Sequence, residues 1–179
     1  VVEGGKEVTG ASVEEGDCIY AFGSSGAHSN GFSLIRAIMK RKKLSYSDSC
    51  EFLPSKTWGH VWLKPTEIYV PLILKLQQHL SIKAMAHITG GGILGNLGRV
   101  IPDGLCAHVQ RQSWKMPAMF QWLQTAGKVP WEDMERTFNL GLGYMIVIKE
   151  SDESKLTKLG KKVYKVGKIK KGLVRACWD

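Results

Sequence analysis

Apolar positions along this chain follow two periods, and the switch between them lays out the elements. Residues 17–22 (Asp-Cys-Ile-Tyr-Ala-Phe) form a short apolar run that reads as a strand. Phe32, Ile35 and Met39 then fall on one face of a helix, with Leu34 and Ile38 adjoining. Ser29 or Asn30 is expected to cap that helix, and Lys40-Arg41-Lys42-Lys43 suits the negative end of its dipole. Residues 44–59 are rich in Ser, Asp, Pro and Gly and predict a loop or insertion. Ile68, Leu72, Leu76 and Leu80 recur every four residues, which predicts a buried stripe on a helix starting at Pro65-Thr66, with a kink or restart at Pro71. Further strands are expected over 82–88, 105–110, 143–148 and 163–169. Further helices are expected over 117–125 (Pro117 in the first turn, Gly127 ending it), 131–138 and 151–161. Strands and helices mix without a regular βαβ repeat, which favours an α+β fold or a mixed sheet with helices packed on it. Residues 8–16 read as a polar, turn-rich linker or edge.

Two segments interrupt this pattern in the same way. Residues 23–31 (Gly-Ser-Ser-Gly-Ala-His-Ser-Asn-Gly) follow one strand and open a helix. Residues 86–92 (Ala-His-Ile-Thr-Gly-Gly-Gly) follow another and enter an apolar, helix-compatible run with Asn96 and Arg99. Three consecutive glycines permit positive φ and close backbone approach, for packing or for a bound anion. Neither segment is a P-loop, since no Gly-Lys-Ser/Thr follows, and neither is a dinucleotide fingerprint. His28 and His87 are candidates for polar contact or proton transfer, whereas His60, His79 and His108 lack such a loop context. Asn139-Leu140-Gly141-Leu142-Gly143 precedes the 143–148 strand and allows close backbone approach there. Ser24 and Ser25 do not form a nucleophile elbow, and no His-Glu-x-x-His occurs. Trp114, Trp122 and Phe120 read as core or interface aromatics rather than a stacking platform.

Composition narrows the classes. The 179 residues suffice for one domain with a substantial core, and 44% hydrophobic with 23% charged residues is ordinary for a globular chain. No apolar run approaches the roughly 18–20 residues of a membrane span. Cys18, Cys50, Cys106 and Cys177 make no Cys-x-x-Cys or Cys-x-x-His pair, so no metal site is read, and free thiols in a reducing, cytoplasmic setting are expected. The abrupt polar start at Val1 suggests an excised domain. The net charge of +9 gathers at residues 40–43 and 155–171, either as a solvated face or as a field for phosphate-bearing ligands. Aromatics are not interleaved with the basic runs, which disfavours nucleic acid as a partner.

The motifs together resemble a known family. Residues 23–36, Pro65-Thr66-Glu67-Ile68-Tyr69, residues 86–92, Asn96 with Arg99-Val100, residues 114–124 and Thr137-Phe138-Asn139-Leu140-Gly141-Leu142-Gly143 closely resemble the signatures of aminoimidazole ribonucleotide synthetase (phosphoribosylformylglycinamidine cyclo-ligase). The likeness runs in order over about residues 17–172 and concerns the family's C-terminal half only. It implies an α+β domain with a mixed, mostly antiparallel sheet and packed helices. Residues 1–16 would then be a linker or edge from the missing N-terminal half, 17–172 the domain, and 173–179 a tail that matches nothing in the pattern. It also implies an ATP-dependent ligase of purine biosynthesis that closes formylglycinamidine ribonucleotide to aminoimidazole ribonucleotide, incomplete in this chain alone.

The resemblance places the active site between the two halves, with ATP and Mg2+ held mainly by the N-terminal one. His28 and His87 become the candidate catalytic residues. Ser24, Ser25, Gly26, Ser29, Asn30 and Gly31 of the first loop become candidate substrate- or phosphate-binding residues. So do Thr89, Gly90, Gly91 and Gly92 of the second, together with Asn139 and Gly141. The implied partners are formylglycinamidine ribonucleotide, ATP, the N-terminal domain and a second copy in a full-length homodimer, with no membrane. Gly95 and Gly98 beside Asn96, and a short 156–163 segment, depart from the family pattern. Two other readings stand beside this one. The first is half of another ATP-dependent member of the superfamily, of formylglycinamidine synthetase, selenophosphate synthetase or thiamine-phosphate kinase type. The second is a non-enzymatic basic module that binds phosphate or nucleic acid.

Overall fold

The apolar runs become the interior strands of a sheet. In the computed structural model, which describes residues 4–5, 7–157 and 162–179, β1 (Cys18–Gly23) pairs antiparallel with β6 (Leu142–Ile148) on one side and β7 (Val163–Lys171) on the other. β4 (Ala84–His87) adds outside β6, and β5 (Leu105–Val109) outside β7. β8 (Ala176–Trp178) lies parallel to β5 at the edge, so the order is β4-β6-β1-β7-β5-β8. This is the mixed, mostly antiparallel sheet that the resemblance implies.

Both faces of the sheet are covered, which is why β1 and β6 read as continuous apolar runs rather than alternating ones. On one face, Ile19, Ala21, Met145 and Val147 pack with α1 (Phe32–Arg41), α4 (Gly92–Leu97), α5 (Ala118–Gly127) and α6 (Trp131–Thr137) through Ile35, Ile93, Phe120 and Met134. On the other, Tyr20, Phe22, Ile146 and Ile148 pack with α3 (Val70–Gln77) through Ile73 and Leu76, and with Leu156 of α7 (Glu153–Thr157). The part of the expected 151–161 helix at 158–161 lies outside the described residues. No helix among the described residues is long and apolar enough to cross a membrane.

Four local expectations are corrected. Residues 44–59 are not only a loop. They carry the hairpin β2 (Ser49–Cys50) and β3 (Leu53–Thr57) and the first residues of α2 (Trp58–Trp62). There Trp58 is fully buried with its ring centroid 4.3 Å from that of Trp122, a long-range aromatic contact that local polarity conceals. The helix expected from Pro65 starts at Val70 instead. Pro71 sits in its first turn, where a missing N–H costs nothing, so it neither kinks nor restarts the helix. Its buried line is Tyr69, Ile73, Leu76 and Leu80, while Ile68 is 75% exposed. Finally, neither Ser29 nor Asn30 caps α1. Gly31 is the N-cap at φ +71°, with no side-chain cap bond. Within the stretch set apart as a tail, Ala176–Trp178 form β8.

Part of each basic run is engaged by the fold. Arg41 donates to the Gly127 and Ala126 carbonyls that end α5. Lys165 and Lys168 pair with Glu150, Lys170 with Asp179, and Lys171 with Glu15.

Candidate functional site

The first glycine-rich loop leaves the end of β1 and is held from below by one buried amide. Asn139, 2% exposed, donates from Nδ2 to the Gly26 carbonyl (2.9 Å). Its Oδ1 accepts from Ser24 Oγ (2.9 Å) and from the Gly141 amide (2.8 Å). The Ser24 amide closes the set by donating to the Gly141 carbonyl (2.8 Å). Asn139 thus spends its side chain on shaping the loop. Gly141 needs its φ of +104°, because a Cβ there would sit 2.4 Å from Pro117 Cδ. At the far end, Asn30 Nδ2 donates to the Thr137 carbonyl (3.1 Å), which is why it is not free to cap α1. His28 (φ +54°) and Ser29 (φ +59°) take left-handed backbone conformations uncommon for non-glycine residues. Ser29 is exposed and Gly26 buried.

Residues 65–69 cross this loop as a strap. The Pro65 carbonyl accepts from Ser25 Oγ (2.6 Å), the Glu67 amide points at His28 Nε2 (3.4 Å), and Tyr69 Oη donates to the Gly23 carbonyl (2.7 Å). Backbone groups committed to the loop are not available for helical bonds, so α3 begins only after the strap. His28 is 6% exposed beneath it. Its Nε2 faces two backbone donors, the Ser25 amide at 2.9 Å and the Glu67 amide, so Nε2 is the acceptor and the ring proton resides on Nδ1. Nδ1 is itself buried with no hydrogen-bond partner among the described residues. Burial first, then the neighbouring His87, pushes the His28 pKa down to about 4, with Glu67 opposing. His28 is therefore a neutral imidazole with one unspent donor. Burial likewise raises the phenols of Tyr69 and Tyr144 above their ordinary range.

The second loop has its own buried amide. Asn96, 4% exposed, donates from Nδ2 to the carbonyls of Thr89, Gly90 and Gly92 (2.7 Å to the last). Its Oδ1 accepts from Thr89 Oγ1 and from Arg99 Nη1, each at 3.2 Å. The Gly91 amide donates to the Arg136 carbonyl (3.0 Å) and the Gly92 amide to the Thr89 carbonyl (3.1 Å). Gly92 lies so close to α6 that a Cβ would stand 1.6 Å from the Glu135 carbonyl oxygen. The triple glycine is thus a packing bend at Gly91 and Gly92, whose amides are used internally. Thr89 and Gly90 stay on the surface, and Gly90 faces Asn30 of the first loop.

The two loops meet along the ends of β1, β4 and β6. The His28 and His87 ring centroids are 6.1 Å apart, edge to face. His87, exposed at the end of β4, stacks at 5.9 Å on Tyr144, and Tyr69 contacts both histidines at 6.0 and 5.8 Å. Gly143 makes room for this cluster, since a Cβ would meet Tyr69 Oη at 2.0 Å and His28 Cε1 at 2.5 Å. Beside it a cleft of about 330 Å3 is lined by Ser24, Ser25, Lys64, Glu67, Tyr69 and Lys162. The two lysines there suit a phosphate or another anionic group, while the donors of Ser24 and Ser25 are committed within the loop and strap. Glu67 is the one carboxylate among the residues that line the cleft, and Mg2+ is commonly held by one or two carboxylates together with substrate phosphates.

Sequence reasoning placed His28, His87 and both loops in one region, and the structure brings them together. It did not single out Tyr69, Tyr144, Lys64 or Glu67, whose contribution depends on the strap crossing the loop. The Asn96 amide was in view as part of a motif, without its role as the staple of the second loop.

Comparison with known proteins accords with this architecture. The family described as AIR synthase related protein, C-terminal domain, matches residues 14–176. The phosphoribosylformylglycinamidine cyclo-ligase of Neisseria meningitidis serogroup C is 41% identical over 174 residues, 95% of this chain and 50% of the relative. The chain spans about half the length of the curated relatives it matches. Among solved structures, thiamine-monophosphate kinase from Stenotrophomonas maltophilia superposes with a TM-score of 0.65 at 16% identity, over 99% of this chain and 54% of the other. The hydrogenase maturation protein HypE in complex with ATP gives a TM-score of 0.56 at 17% identity, over 90% and 44%. At those identities the likeness is one of fold.

Proposed function

This chain belongs to the AIR synthase related protein family through its C-terminal domain, and from that premise we propose that it is the C-terminal half of an ATP-dependent cyclo-ligase. In this reading the complete enzyme closes formylglycinamidine ribonucleotide to aminoimidazole ribonucleotide. The observation that carries it is the two-loop site with neutral, buried His28 facing His87, in a chain 41% identical to named cyclo-ligases. The formyl oxygen is activated by phosphoryl transfer from ATP, the neighbouring nitrogen closes the ring, and phosphate leaves. Such chemistry calls for donors aimed at developing oxygen charge and for groups that hold phosphates.

This chain's residues divide those tasks. His28, kept neutral, offers Nδ1–H as a donor that does not compete with a positive charge of its own. His87, exposed at the end of β4 where it lines a neighbouring cleft with Tyr69 and Tyr144, makes polar contact with the reacting centre. Lys64 binds substrate phosphate above the loop that Ser24 and Ser25 brace through their internal bonds, and Thr89 and Gly90 close the opposite side. Asn139, Asn96, Gly31, Gly91, Gly92 and Gly141 are positioning residues that shape the loops. ATP and Mg2+ are assigned mainly to an N-terminal half.

The test is reconstitution. Supplied with ATP and formylglycinamidine ribonucleotide, the isolated chain should form no product. Co-expressed with the N-terminal half of the Neisseria relative, it should. Robust turnover by the chain alone overturns the incompleteness, and failure of every reconstitution overturns the cyclo-ligase reading. In the reconstituted enzyme, H28A should lower kcat by about 10²–10⁴-fold, the range of a lost acid–base or polar catalytic group.

A further inference from the structure

The sheet edge opposite the histidine loops gathers a second set of reactive side chains. Cys106 and His108 are two apart on β5 and so share a face. Cys177 on β8 and Asp179 just beyond it have the same spacing. The parallel register sets His108 beside Cys177, which brings both pairs together on one face. The Cys106 and Cys177 sulfurs are 3.3 Å apart. One donor atom each from Cys106, His108 and Cys177 lies within 4.8 Å of the others. Asp179 Oδ1 is 2.8 Å from His108 Nδ1 and also accepts from Lys170 Nζ at 3.4 Å. Cys106 is buried while Cys177 and His108 are partly exposed, so the cluster has an inner wall and a solvent side.

We propose that Cys106, Cys177 and His108 form a binding site for a thiophilic divalent cation of the zinc class, with Asp179 orienting the imidazole. Two thiols and an imidazole at this separation match a tetrahedral sulfur–nitrogen site with one position left for water or a carboxylate. They would discriminate against Mg2+ and Ca2+, which require oxygen donors. A carboxylate on the second imidazole nitrogen is the common arrangement around a metal-bound histidine. Binding forms two metal–sulfur bonds and releases the two thiol protons to solvent, with no change of oxidation state. The ion would join β8 to β5. β8 in turn touches α4, where a Cβ on Gly98 would lie 3.8 Å from Ala176 Cβ, so the tie reaches the helix that leaves the second glycine loop.

The experiment uses the full chain, reduced and freed of metal under anaerobic conditions, and titrated with Co2+ and then Zn2+. Saturation at one equivalent with thiolate-to-cobalt charge-transfer absorption, displaced by Zn2+, is the expected result. C106S and C177S should each lose that absorption, and D179N should weaken binding by about 10–100-fold. A readout that needs no variant is alkylation followed by peptide mass spectrometry, in which Zn2+ should protect Cys106 and Cys177. Three results overturn the proposal. They are no charge-transfer band with unchanged alkylation, a band that persists when both cysteines are replaced, and a Cys106–Cys177 disulfide that forms in air despite stoichiometric Zn2+.

Discussion

The loop at 23–31 and the loop at 87–92 share a plan, yet they solve different problems. Each leaves a strand, carries a histidine, enters a helix and hangs on a buried asparagine, Asn139 for the first and Asn96 for the second. In the first loop the histidine is inside, capped by the 65–69 strap, and positive φ falls on His28 and Ser29 as well as on Gly31, which is packed against Phe138. In the second the histidine is outside, and the positive φ falls on Gly91 and Gly92, pressed against α6. Strain at non-glycine residues persists only where surrounding contacts over-determine it, and it gathers at functional sites. A glycine pressed against a helix backbone is by contrast a packing device. The two loops thus differ in where the backbone departs from ordinary conformation: at a buried histidine and a serine in the first, and at glycines alone in the second.

Substitutions that add the same methyl group should separate the two loops most sharply. G92A places a Cβ on the Glu135 carbonyl at a positive φ and should cost more than about 3 kcal/mol in denaturant unfolding. G26A meets Lys64 Cβ at 3.7 Å and Met119 Cε at 4.0 Å, both ordinary contacts, and should stay within about 0.5 kcal/mol. Equal losses at the two positions would break the comparison.

The staples come next. N139A strands the Gly26 carbonyl, the Ser24 hydroxyl and the Gly141 amide, and should cost about 2–3 kcal/mol while deprotecting residues 23–31 in hydrogen exchange. N96A should deprotect residues 89–92 instead. If both variants loosen the same segment, the loops are one cooperative unit rather than two.

A smaller effect tests the buried imidazole. The folded His28 pKa near 4 lies below its ordinary value of 6.5, so the unfolded chain binds more protons between those values. Its contribution to stability is complete above about pH 6.5 and lost as pH falls toward 4. The slope should amount to about 1–2 kcal/mol and should flatten in H28N, while H87N, which removes the smaller of the two depressing causes, should retain most of it. A wild-type slope unchanged by H28N would show that His28 is not held neutral. Smallest of all, S25A removes one partly exposed bond to the Pro65 carbonyl and should cost about 0.5–1 kcal/mol, read as faster exchange in the strap.

What the sequence determined by itself is what short range can encode. The strands at 17–22 and 143–148 were legible because both sheet faces are buried and the apolar run is unbroken. The two loops were legible because each gathers glycines and a histidine between an apolar run and a helix-compatible one. Periodicity failed at Ile68, where a run of four-residue spacings continued into a strap whose backbone bonds belong to the first loop. It failed again at 44–59, where polar composition hid Trp58 because the partner that buries it, Trp122, is remote in sequence. Only the tertiary structure shows that Gly91 and Gly92 pack against α6, since that depends on where Glu135 and Arg136 direct their carbonyls. It alone decided that His108, which no local motif distinguishes, stands beside Cys106 and Cys177. Ligand spacing along one segment is visible in a sequence. The parallel register that aligns two separate strands is set by packing across the whole sheet, and no spacing rule reports it.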